Sequence, residues 1–313
     1  MSGIDGGPIL VPGKNFPTRP SAKLLHAQAL GRSLGDAVSA WRERLGAETT
    51  TELAPDGLSG VVRARLVESP PLEDWALLLG DVVHNYRASL DSLTWALAHL
   101  DGKTPREKVQ RRIQFPFATS GTQWRKLIAN ELASLPAFAI GRLDRVQPYH
   151  AVPVEKGVGM TLHRLDIEDK HKGVLDLRLV AVDKTYFSAQ FKMRDVLPEG
   201  VPPLGGDDEE WTWAAPGNEL RDGDAVWEFR SKYPIEELLI DELPLSIQVS
   251  DQGEYLDLWD LMRHVDGQAV ATFNIAYAGD DTEEHVRFMA DRNVRRGTPA
   301  VRLPNVPEQV VAT

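Results

Sequence analysis

The chain of 313 residues contains no cysteine, so disulfides, thiolate nucleophiles and Cys-ligated zinc drop out at once. No apolar run approaches the ~18 residues that a membrane-spanning helix needs. The opening Met1-Ser2-Gly3-Ile4-Asp5 carries neither a basic segment nor an apolar stretch behind it. No secretory signal is therefore expected, and a cytoplasmic location is. Positive charge is scarce: 35 Lys and Arg stand against 46 Asp and Glu, a formal net charge of −11. That balance argues against broad attachment to nucleic acid or to an anionic membrane, and leaves room for a small basic cleft. The chain has no P-loop pattern, no Gly-x-Gly-x-x-Gly after a strand and no compact His-Glu-x-x-His; no serine-hydrolase elbow is read either. No cofactor and no membrane partner are expected.

What is present centres on one long helical pattern, 72–100. At about 100° per residue, Trp75, Leu79, Val82, Tyr86, Leu90, Leu93 and Leu97 fall on a broad apolar side. His84, Arg87 and Asp91 form a separate stripe at i, i+3 and i+7, with Gly80, Ala88, Trp95 and Ala98 around it. A histidine titrates near neutrality and suits general acid–base work. An arginine can hold phosphate or carboxylate through two donors, and an aspartate can orient the histidine. The same three residues also fit an internal ladder in which Arg87 pairs with Asp91 at i, i+4 and His84 caps the network.

A second dense stretch, Leu162-His-Arg-Leu-Asp-Ile-Glu-Asp-Lys-His171, reads as a short helix closed by Gly173. His163, Asp166 and Lys170 share one side of it; Arg164 and His171 point together two turns apart. If the two segments face each other, they enclose a mixed-charge site. The candidate catalytic residues are then His84, Arg87, Asp91, Arg164 and His171. Asp166, Lys170 and His150, the last from the turn Gln147-Pro-Tyr-His150, are candidate substrate-binding groups. A solvated helix of alternating charges, or a metal site drawn from the His and Asp residues, are the competing readings. Arg106, Lys108, Arg111 and Arg112 make the most basic local stretch, either a phosphate site or a solvated face.

Around these segments, 1–20 is a Gly/Pro-rich, flexible N-terminal arm, ordered on contact or loose. Residues 21–173 read as a helical domain, interrupted by a turn-rich stretch at 49–60 and a strand at 61–67. Alternating patterns over 174–250 predict an antiparallel β insertion, in which Trp211, Trp213 and Trp227 pack the sheet. A helix over 255–278, within 251–278, returns to the helical core, and 279–313 is an extended tail with a helical patch near 285–291. The fold class is α+β, a helical core with an inserted antiparallel sheet.

The stretch from Gly80 to Trp95 resembles a pattern seen in many uncharacterised bacterial proteins: Gly-Asp, then His-Asn-x-Arg, then Leu-Asp and an aromatic. Those proteins also carry a Leu-Asp-x-x-Asp-Lys-His block, matched by Leu165 to His171. The resemblance covers the helical parts and implies no established activity. More distantly, the helical part resembles the HEPN class of bundles, found among bacterial ribonuclease toxins, whose motif is Arg, four to six residues, then His. Arg164 and His171 satisfy it with six between. That resemblance implies that Arg164 binds the scissile phosphate and His171 serves in metal-independent acid–base cleavage of RNA. RNA or a nucleotide is thus the expected partner. A non-catalytic binding or assembly module held by ion-pair networks is the alternative, and assembly into a homo-oligomer is left open.

Overall fold

A computed structural model describes residues 5–279 apart from 45–46, 101, 103–104, 183–188, 194–208, 214–218, 241–242 and 244. The expected helical patch and tail beyond 279, the turn at 183–184 and most of the acidic loop at 198–210 lie outside the described residues. The fold is α+β. Helix α2 (Leu72–Ala98) is its axis: the seven apolar residues of its broad side are each at most 3% exposed. Helix α1 (Arg19–Arg44) covers that side with Ala27, Leu34, Val38 and Trp41, and Trp41 meets Trp75 edge-on at 5.8 Å. Each such side chain contributes about 1.5–3 kcal/mol by leaving water, which outweighs the weak helix propensity of Gly31 and Gly35 in α1. Gly31-Arg-Ser33-Leu-Gly35 spells the hydrolase pattern Gly-x-Ser-x-Gly. It lies inside continuous helix, where Ser33 Oγ donates to Ala29 O, so it forms no strand-to-helix elbow.

The third core helix, α7 (Leu258–Ala278), starts three residues later than the apolar spacing predicts. The Asp257 carboxylate accepts hydrogen bonds from the N–H groups of Trp259 and Asp260 and so fixes the helix start. Residues Glu254–Asp257 pair as a strand instead. Asp266 of α7 accepts from Tyr86 Oη (2.8 Å) and Gln28 Nε2 (2.7 Å), one carboxylate tying α1, α2 and α7 together.

The 49–60 stretch, read as turn-rich, contributes a strand. Ala47–Leu53 (β1) pairs antiparallel with Ser59–Leu66 (β2), because consecutive β-branched threonines suit a half-exposed ladder better than a coil. The described strands form three antiparallel sheets: β1-β2-β6-β5, β3-β8-β9 and β4-β7. In these β3 is Leu177–Ala181, β4 Ala189–Met193, β5 Glu209–Trp213, β6 Ala225–Ser231, β7 Ile235–Ile240, β8 Leu245–Asp251 and β9 Glu254–Asp257. Trp227 is fully buried opposite Val62. For the site, β8 matters most, since its last residue, Asp251, abuts the 160–172 helix.

The N-terminal segment is seated on the helical core. Leu10 and Phe16 are buried, and Leu10 N–H donates to Tyr277 O. Arg142, on the helix Ala137–Arg145, is 0% exposed. It donates to both Asp5 carboxylate oxygens (2.8 and 2.9 Å) and to the carbonyls of Pro8, Ala276 and Tyr277. These hydrogen bonds, led by Arg142, hold the Asp5 carboxyl well below the usual carboxylate range. A depressed acid adds stability that is present above its unfolded value of 3.8 and is lost as pH falls below it. Replacing Asp5 with Ala is expected to cost about 2–3 kcal/mol, the scale of a charged hydrogen bond, and to speed protease cleavage within 5–18. Urea unfolding and limited proteolysis at pH 7 would check it, and an unchanged midpoint would remove the clamp from the account.

Candidate functional site

Helix α6 (Met160–Lys172) packs across the first half of the site stripe, at Gly80 and His84. Its start is set by Gly159, at φ 73° in the left-handed region, whose N–H donates to the buried Gln268 side chain. A Cβ there would meet the Phe117 ring at 2.5 Å, so glycine is required on two counts. Gly80 of α2 allows the close approach further along: a Cβ on it would lie 2.3 Å from an Asp169 oxygen.

Across this seam the two charged segments meet. His84 Nδ1 lies 3.5 Å from Asp166 Oδ1, and Lys170 Nζ donates to Asp166 Oδ2 at 2.7 Å. Asp166 is 4% exposed, whereas the His84 side chain is 53% exposed. At 3.5 Å the His84 contact is electrostatic rather than a hydrogen bond, and Asp166 Oδ1 has no hydrogen-bond partner among the described residues.

Arg87 turns inward and is 6% exposed. Its Nη2 donates to Asp91 Oδ1 (2.9 Å) and to Phe115 O (3.0 Å), while Phe115 N–H donates to the same Asp91 oxygen (2.8 Å). Arg87 and Asp91 thus clamp both backbone groups of Phe115. Burial raises the Asp91 carboxyl, opposed by Arg87 and the Phe115 N–H. The clamp presents Phe117, whose ring holds the Arg87 guanidinium at 4.6 Å and stacks on His163 at 4.6 Å and 22°. Burial raises the Asp169 carboxyl, with Asp166 and Asp81 adding to it.

The other candidate residues lie apart. On α6, Arg164 and His171 sit about 100° or more around the helix from Asp166 and Lys170. Arg164 faces β8: Nε and Nη2 grip the two Asp251 oxygens at 2.9 and 2.6 Å, Nη1 donates to Glu155 O and Nη2 also to Thr161 Oγ1. His171 is exposed. His150 pairs with Asp144 at 3.6 Å in a separate cluster, where burial and the Asp144 hydrogen bond push the Tyr149 phenol up to about 12.

The remaining stripe of α2 floors a cleft of about 1100 Å³, walled by the N-terminal segment around Lys14, Arg19 and Lys23. His84, Asp91, Trp95 and His99 line it. His99, which sequence alone leaves isolated, tilts against Trp95 at 4.4 Å; the signal was its i, i+4 spacing from Trp95 on the His84 side of the helix. Lys14 in the N-terminal segment, and Arg19 and Lys23 at the start of α1, carry no local signature, because only tertiary packing brings them to the site. Among the described residues no group of three or more His, Asp or Glu side chains lies close enough to hold a metal ion, and no helix is long and apolar enough to cross a membrane. Compared with protein-family models, curated proteins and solved structures, the chain matched none.

The His163 imidazole gives a measurable signature. Burial, then the Arg87 charge, lower its pKa from 6.5, and its Nδ1 is buried without a hydrogen-bond partner among the described residues. Asp166 opposes that lowering, while Arg164 and Lys170 add to it. Between the lowered folded value and 6.5 the unfolded chain binds the extra proton, so stability falls as pH drops below 6.5. This one group contributes a slope of at most about 1.4 kcal/mol per pH unit. His163→Phe keeps the stack on Phe117 and is expected to flatten that slope in urea titrations from pH 8 to 5. An identical pH dependence in both proteins would remove His163 as its source.

Proposed function

We propose that the protein is an acid–base enzyme acting on an anionic ligand in the α2 cleft, with His84 as the proton-transferring group and Asp166 orienting it. The observation that carries this reading is the buried Asp166 oxygen, 3.5 Å from His84 Nδ1 and without a hydrogen-bond partner among the described residues. A proton on Nδ1 serves that oxygen and leaves Nε2 as the acceptor of the half-exposed ring. Lys170 Nζ is paired to the other Asp166 oxygen at 2.7 Å, behind the histidine.

RNA phosphodiester cleavage is the concrete form. Nε2 of His84 takes the proton of a ribose 2′-hydroxyl. The freed oxygen bonds to the adjacent phosphorus as the bond to the 5′-oxygen breaks, and water supplies the proton to the leaving oxygen. The products are a 2′,3′-cyclic phosphate and a free 5′-hydroxyl. Arg87 and Asp91 act in this reading as the framework that holds the seam, because Arg87 Nη2 and Asp91 Oδ1 are committed to Phe115 and to each other, while Arg87 Nη1 is buried without a hydrogen-bond partner among the described residues. Arg164 is likewise committed to Asp251, which favours a structural role for it over phosphate binding.

The test is cleavage of a 5′-labelled unstructured RNA. His84→Ala is expected to lower the rate at least about 100-fold, the usual share of a positioned general base, without lowering the melting temperature. Asp166→Asn is expected to lower it less and to move the pH profile, since it disturbs the tautomer and not the reacting atom. Retained cleavage in His84→Ala with loss in His171→Ala would transfer the chemistry to α6. No cleavage by the wild-type protein would overturn the ribonuclease form.

A further inference from the structure

The cleft has more room and more unspent chemistry than a lone histidine requires. Its volume of about 1100 Å³ lies just above the range of small-molecule sites, roughly 300–1,000 Å³. Lys14, Arg19 and Lys23 line it and make no ion pair among the described residues, in a chain with an excess of eleven acidic charges. The cleft's own carboxylate, Asp91, is engaged by Arg87 and the Phe115 N–H, so it does not neutralise them. At the far end Trp95 is 41% exposed, although it sits on the most buried helix of the fold. Its partner ring is held in place: His99 Nδ1 lies 2.8 Å from Trp95 O, and the two rings are tilted 32° apart.

We infer that this cleft is a groove for single-stranded nucleic acid, with bases stacking on the Trp95–His99 platform and the phosphate backbone running along Lys14, Arg19 and Lys23. Exposed aromatic faces beside unpaired cations are the combination that recognises a strand without reading its sequence. The dimensions favour a strand over a single nucleotide. Trp95 follows His84 by eleven residues, about 16 Å along the helix at 1.5 Å each, whereas stacked nucleotides advance about 3.4 Å per step. One nucleotide cannot occupy both ends, and several can. A duplex is disfavoured because its bases are already stacked on one another and offer no free face to Trp95. The inference rests on His84 as the reaction centre only for the direction in which the strand runs; the binding itself is measured separately.

The experiment is fluorescence anisotropy with a labelled eight-nucleotide uridine strand, using the whole chain. Its comparison arms are the same strand paired to its complement, a DNA strand of equal length, and uridine monophosphate as competitor. The single strand is expected to bind more tightly than the duplex, and the mononucleotide to compete only weakly. Trp95→Ala is expected to weaken binding about 5- to 100-fold, the worth of one stacked base. With three phosphate contacts, log K against log salt should slope at about −2, and it should flatten in the triple variant Lys14→Ala, Arg19→Ala, Lys23→Ala. All four side chains are at the surface of the cleft, and circular dichroism of each variant is the check that it remains folded. Equal affinity for duplex, tight binding of the mononucleotide alone, or no effect of Trp95→Ala would each overturn the groove. His84→Ala separates the two readings: a variant that binds the strand but does not cut it supports both. Binding by a wild-type protein that cuts nothing sinks the reaction and keeps the groove.

Discussion

The buried guanidinium of Arg87 is the constraint from which the site follows. Taking a cation out of water costs several kcal/mol unless its donors are used, and burial presses the Arg87 pKa down accordingly. The fold answers with three groups: the Asp91 carboxylate, the Phe115 carbonyl and the face of Phe117. Each answer positions something else. Asp91 collects the Phe115 N–H and so fixes the 113–117 segment on α2. Phe117 offers its ring to His163 and its bulk to Gly159, which together set where α6 begins and how it is rotated. With α6 so rotated, Asp166 arrives behind His84. A charge that serves structure thereby places the carboxylate on which the proposed chemistry rests.

That dependence also explains what the sequence disclosed and what it concealed. The core face of α2 was legible because seven apolar residues at helical spacing leave little freedom about which side is buried, and the structure buries all seven. The α+β class followed from the change of period after 174. The strand at Ala47–Leu53 was hidden, since a polar threonine run reads as a turn until the ladder with β2 and the distant β6 is known. The same limit applies to the site. His84 and Asp166 were visible as residue types, but nothing local says that they approach one another. Arg164 was equally visible, and only the fold shows its donors spent on Asp251, eighty-seven residues away. Tertiary partners decide whether a polar side chain is free, and they leave no trace in spacing.

Charge follows the same logic. A net charge of −11 governs long-range encounter, and screening confines it to roughly 8 Å at physiological salt. Within the cleft the balance is local. Lys14, Arg19 and Lys23 stand there without acidic partners among the described residues; Arg19 and Lys23 are brought to α2 by the packing of α1, and Lys14 by the N-terminal segment, which Arg142 helps to seat through Asp5 and the Pro8 carbonyl. An acidic surface around a small cationic groove repels anions from everywhere else, so a polyanion that binds at all is directed to one place.

The spacing of Arg164 and His171 illustrates the difference between a pattern and a site. Six intervening residues put both on one side of α6, as a phosphate-binding pair would require. Yet a phosphate must find unspent donors, and the bidentate grip on Asp251, with Glu155 O and Thr161 Oγ1 beyond it, occupies four of the five N–H donors of Arg164. Releasing it would strand Asp251, which is itself largely buried, at a cost of the same order as the phosphate contact would return. His84 has no such debt: its ring is half exposed, and the one group behind it is a carboxylate oxygen still lacking a donor. That unsatisfied buried partner and open face are why the proposed reading gives the base to His84 rather than to His171, whatever motif the latter completes.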